Sequence, residues 1–113
     1  VIKIKITKVG GYINARKIID VCESSGTELV IGQGLCSSIE ASAEAQLACA
    51  FSHVCPVAEM VGPAKLRADL TDTPISLEGG QLSLPEGNGI GIDLSEEKLA
   101  MYTVSGETTA RAS

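Results

Sequence analysis

The chain has 113 residues, 44% of them hydrophobic, and a formal net charge of −5. That length holds one modest domain or a piece of a larger one, and so apolar a chain with so little net charge is not disordered. The acidic balance excludes a nucleic-acid backbone as partner, two Tyr, one Phe and no Trp leave no platform for stacked bases, and no apolar run reaches the roughly 20 residues of a membrane span.

Residues 1–8 alternate, with Ile2, Ile4 and Ile6 on one face and Lys3, Lys5 and Thr7 on the other. This period of two predicts a strand, ended by Gly10-Gly11. From Tyr12 to Ser25 the period becomes helical, with Ala15, Ile18, Ile19 and Cys22 on one stripe and Gly26 placed to end the helix. Leu29-Val30-Ile31 is a short continuous apolar strand of the kind buried in a parallel sheet. Ser37 and Glu40 fit a capping box that opens a helix to about Phe51, with Ile39, Ala43, Leu47 and Ala50 as its core stripe. Pro56–Met60 reads as a third strand, and Gly62-Pro63 begins one or two helical turns through Leu70.

After Asp72 the character changes. Residues 75–84 around Gly79-Gly80 predict an antiparallel hairpin, residues 85–91 a turn-rich loop, and Ser95–Leu99 a short amphipathic helix. Gly106–Ser113 lacks periodicity and reads as a tail.

The first 70 residues are thus β-α-β-α-β-α, which demands parallel strands with right-handed crossovers. Three such strands, with both edges open and Lys3 and Lys5 facing inward, do not close a core. Either copies associate across those edges as a homo-oligomer, or the chain is a slice of a larger sheet or barrel. The beginning at Val1, inside a strand, favours the slice.

Cys22, Cys36, Cys49 and Cys55 contain no C-x-x-C pair, and nothing marks secretion, so the thiols suit a reducing cytoplasm. Cys49, His53 and Cys55 match no standard zinc spacing and read as small buried thiols beside a loop histidine. Gly87-Asn88-Gly89-Ile90-Gly91 has a dinucleotide-like spacing without the strand and long helix that such a motif needs, so it reads as a loop. Lys3 and Lys5 are an ordinary wet face if their side of the strand meets solvent. Inside a barrel, a lysine at the carboxyl end of a strand is suited to proton abstraction.

The segments Ile4–Gly11, Ala15–Ile18, Ser25-Gly26, Ile31–Gly34, Ser38-Ile39, Ala58–Pro63 and Pro85–Gly91, with Asp93, Leu99 and Tyr102, resemble in order and spacing the C-terminal part of the mandelate racemase/muconate lactonizing enzyme group of the enolase superfamily. The resemblance covers about residues 1–104. It implies an α/β fold in which residues 1–72 hold about strands six to eight of a (β/α)8-type barrel. Residues 73–104 would be a small hairpin and a C-terminal helix returning toward a capping domain, and 105–113 a tail.

It further implies an isomerase, meaning a racemase, epimerase or cycloisomerase, acting on a small carboxylate. A dehydratase starting from the same enolate is the runner-up, and a non-catalytic fragment stable only by association is the alternative of another class. The family uses a Lys or His base with Mg²⁺ holding the enolate. By the resemblance Lys5 is the sixth-strand acid/base, with Lys8 and Gly10-Gly11 setting the register. Lys3, Gln33, Gly34, Leu35, Cys36, Glu59 and Met60 border the substrate, and Glu59 either hydrogen-bonds substrate or caps its strand. The family's second lysine and its three acidic Mg²⁺ ligands have no counterpart here. The sequence also departs from muconate-lactonizing members at Cys36, where they carry a glutamate, and from dipeptide epimerases at Val61, where a second acid would stand.

Overall fold

A computed structural model describes residues 1–104; the tail expected at 105–113 lies outside the described residues. Two parallel strands, β1 (Ile2–Ile4) and β2 (Leu29–Ile31), pair Ile2 with Leu29, Lys3 with Val30 and Ile4 with Ile31. The strand expected over residues 1–8 is therefore only three residues long. Lys5 is still extended, but Ile6–Val9 form a helical turn, α1, closed by the left-handed Gly10. The alternation hides this because Ile6 and Val9, three apart, both pack on the core.

Helix α2 spans Tyr12–Ser25 as the periodicity predicts, burying Ala15, Ile19 and Cys22. Helix α3 spans Ser38–Ala50, but its buried face is Ser38, Ala41, Ser42, Glu44, Ala45 and Leu47. Of the expected stripe only Leu47 is buried. The helix is itself built mostly of small residues with little hydropathic contrast, so packing chooses the face.

The third strand expected over Pro56–Met60 is reduced to two parallel bridges, Leu29 with Val54 and Gly32 with Glu59. Between them β2 advances three residues and the third segment five, so two must bulge out. Pro56, which lacks an N–H, lies in that bulge. The helix expected through Leu70 is a single 3-10 turn, Pro63–Lys65.

The expected hairpin is present as β3 (Leu77–Glu78) and β4 (Gln81–Leu82), joined by Gly79 and Gly80, both left-handed as a tight two-residue hairpin turn requires. Helix α4 covers Glu96–Tyr102. These later elements are tied to the first part: the Ser95 amide donates to Leu70 O at 2.8 Å, Ser42 Oγ donates to Ile90 O, and Ile75 joins the core. Lys98 Nζ donates to Thr71 O at 2.6 Å and lies 3.0 Å from Asp72 Oδ1, which holds the exposed Asp72 carboxyl below its ordinary range. No helix among the described residues is long and apolar enough to cross a membrane.

Candidate active site at the carboxyl ends of the strands

Parallel strands with helical crossovers present their loops at the carboxyl ends, where ligands of such folds bind. Here β1, β2 and the bridged third segment deliver Lys3 and Lys5, Gln33, and Glu59 to one end of the sheet. Gln33 is the junction. Its amide donates to Glu59 O at 2.9 Å, its carbonyl accepts Lys5 Nζ at 3.2 Å, and its side-chain Oε1 accepts the Gly62 amide at 3.2 Å.

Lys3 Nζ forms an ion pair with Glu59 Oε2 across the mouth, and both side chains are well exposed. Such a pair adds little to stability, so both groups stay available to a ligand. The Lys3 stem lies across Gly32, where any Cβ would overlap its Cε. Lys5 is half-buried. Among the described residues it has a carbonyl as partner and no carboxylate within ion-pair distance.

The remaining expected site residues divide. Gly34 and Leu35 are exposed at the rim, Leu35 to 70%. Cys36 and Met60 are buried in the core. Met60 lines a cleft of about 360 Å³ with Pro63, Leu66 and Ile75, and Cys36 packs beneath Gly62. Burial, with Glu40, Glu44 and Asp69 adding negative charge, pushes the Cys36 thiol up to about 11, so it is no nucleophile at neutral pH. A Cβ at Gly62 would overlap Cys36 Sγ and stand 3.1 Å from the Cys36 amide nitrogen and carbonyl oxygen. Because main chain cannot swing aside, Gly62→Ala is expected to cost about 1–3 kcal/mol in a urea titration of the whole protein.

Two residues that the sequence reading passed over are central. Asp69 accepts the Ser38 amide at 3.1 and 3.0 Å and Ser38 Oγ at 2.5 Å. It thus caps α3, whose Ser37 makes no side-chain cap bond. Glu44 is fully buried, its Oε1 accepts the Ile6 amide at 3.1 Å, and its Oε2 has no partner of good geometry among the described residues.

Burial drives the Glu44 carboxyl above its ordinary range and Glu40 adds to this, while the Ile6 amide, the Gln33 side chain and Lys5 oppose it. A carboxyl whose folded pKa exceeds its unfolded one holds its proton better in the fold. Its contribution is therefore complete below the unfolded value of about 4.3, and stability is lost as pH rises from there through the folded value. The unfolding free energy of the whole protein, relative to Glu44→Gln, is expected to fall over that window and then level. A flat difference would show that Glu44 titrates alike in both states.

Among the described residues no group of three or more His, Cys, Asp or Glu side chains is placed to hold a metal ion. This chain's residues therefore do not fit the Mg²⁺ that the resemblance implies. Of the residues weighed for zinc, Cys49 is exposed and His53 Nε2 lies 2.9 Å from Thr27 O.

The sequence is 31% identical over 106 residues to muconate cycloisomerase 1-1 of Acinetobacter lwoffii, covering 94% of this chain and 28% of that enzyme. It is 30% identical over 105 residues to an N-succinylamino acid racemase of Amycolatopsis sp, covering 93% and 28%. The fold superposes on the crystal structure of 2-chloromuconate cycloisomerase from Rhodococcus opacus 1CP with a TM-score of 0.85 at 32% identity, over 91% of this chain and 28% of that one. The chain thus spans little more than a quarter of the length of these relatives. The sequence pattern of the enolase C-terminal domain-like family matches residues 1–98, and the chain belongs to that family.

Proposed function

We propose that this chain forms part of an isomerase of the racemase or cycloisomerase type that moves a proton at the carbon beside the carboxylate of a small substrate, with Lys5 as the acid/base. Residues 1–72 are then strands six to eight of a (β/α)8 barrel, and 73–104 run back toward its capping domain. The observation that carries the reading is the placement of Lys5. It stands at the carboxyl end of a parallel strand, half-buried, held by one carbonyl at 3.2 Å and by no carboxylate among the described residues.

A lysine so placed is positioned to exchange a proton with carbon. Neutral Nζ accepts the α-proton, the C–H electron pair stays on the substrate as an enolate, and the resulting ammonium returns the proton. Lys3, bridged to Glu59 at the rim, offers a cation to a substrate carboxylate, while Gln33 fixes the spacing of the three strand ends. The names of the relatives, cycloisomerases of muconate and an N-succinylamino acid racemase, support a small carboxylate as substrate. The Mg²⁺ implied by the resemblance would be held by residues other than those of this chain.

The test is solvent-deuterium exchange at the α-carbon of N-succinyl amino acids, followed by NMR with the full-length protein. Exchange by the wild type and its loss in Lys5→Ala are expected; undiminished exchange in Lys5→Ala would reject the reading.

A further inference from the structure

We propose that Glu44 is a positioning residue for Lys5, holding the lysine through the main chain that follows it and through Gln33. This inference rests on the acid/base role of Lys5.

Lys5 sits where strand turns into helix. Before it, Ile4 O accepts the Gly32 amide at 3.0 Å, and after it, Lys5 O accepts the amides of Lys8 and Val9 at 3.0 and 3.2 Å. The Ile6 amide, next along the chain, has neither strand nor helix acceptor and is taken by Glu44 Oε1 at 3.1 Å from α3. That one bond fixes the residue immediately after the lysine to a helix that neither strand belongs to.

The second arm runs through Gln33. Lys5 Nζ rests on the Gln33 carbonyl. The Gln33 side chain is buried, spends Oε1 on the Gly62 amide, and leaves Nε2 without a partner of good geometry. It still lies near enough to Glu44 to favour its carboxylate form. Gln33 Nε2 and Glu44 Oε2, a buried donor and acceptor with no other partner among the described residues, are thus left to each other, which couples the residue that bears Lys5 Nζ to α3. The charged or titratable groups facing the Glu44 carboxylate are Lys5, which favours it, and Glu40, Tyr12 and Cys36, which share its field unfavourably.

The test compares full-length wild type, Glu44→Leu, Glu44→Gln and Lys5→Ala in α-proton exchange of an N-succinyl amino acid. Glu44→Leu, which removes both acceptor and charge, is expected to lower kcat by roughly tenfold to a hundredfold with KM within about twofold, since small displacements of a catalytic group cost rates of that order. A merely structural role would lower the unfolding midpoint and spare kcat. Glu44→Gln keeps an acceptor for the Ile6 amide and should recover most of kcat. Wild-type kcat in Glu44→Leu overturns the proposal. Should Glu44→Leu not fold, a kcat in Glu44→Gln lowered tenfold or more, although that variant keeps an acceptor for the Ile6 amide, overturns it instead. If Lys5→Ala exchanges normally, the acid/base reading itself falls; if Lys5→Ala is inactive and Glu44→Leu is not impaired, only the role of Glu44 does.

Discussion

Lys5→Ala in the full-length protein is expected to slow α-proton exchange by about 10²–10⁴-fold, the usual worth of a positioned general acid or base. KM should change far less, because Lys5 spends its hydrogen bond on Gln33 O at the back of the site while Lys3 faces the rim. Lys5→Arg decides between two roles that alanine alone does not separate. Arginine keeps the positive charge and much of the reach, but its guanidinium does not deprotonate in a protein. If Lys5 acts by accepting a proton from carbon, Lys5→Arg is as inactive as alanine; if it only attracts a carboxylate, Lys5→Arg recovers a large part of the rate. Lys3→Ala is the control on the same strand. It frees Glu59 and removes a rim cation, so KM should rise while exchange of bound substrate persists. The measurement is deuterium wash-in at saturating and at low substrate for all three variants.

The parts of this fold that depend on neighbours in sequence were legible in it. Helix α2 carries its own period of 3.6 and its own terminal glycine, and β2 is a continuous apolar triplet, so both run as the sequence predicts. The parts decided by distant residues were not. Nothing within residues 1–8 announces that Ile6 will leave the sheet, because its amide is claimed by Glu44, 38 positions away. The Ser37–Glu40 capping box is a plausible local signal, yet a carboxylate from position 69 takes its place. The site followed the same division. Lys5 and Glu59 stand out by their place in recognisable segments. Glu44 lies among alanines in a helix, and its burial reads as solvent exposure until α3 is docked.

Asp69→Ala should be the most destabilising of the substitutions considered, by about 2–4 kcal/mol, because it removes a charged acceptor from several donors at once. The carboxylate takes the Ser38 amide with both oxygens, Ser38 Oγ at 2.5 Å and the Leu70 amide at 2.7 Å, and Ser38 is itself completely buried. Ser38 Oγ passes the constraint on by accepting the Ile75 amide at 3.0 Å, so the cap also ties the start of α3 to the chain that leads into β3. Without Asp69, buried donors at the first turn of α3 have no acceptor, and the turn frays. Asp69→Asn keeps one carbonyl oxygen and should recover about half of the loss, which separates the hydrogen bonds from the charge. The consequence reaches the site because α3 begins where the Gln33–Cys36 loop ends. Hydrogen–deuterium exchange of peptides covering residues 33–42 should therefore accelerate in Asp69→Ala more than in the rest of the chain. A uniform rise across all peptides would mean that Asp69 supports the whole fold; confinement to 33–42, with KM raised and kcat spared, would mean that this cap holds the rim of the site in shape.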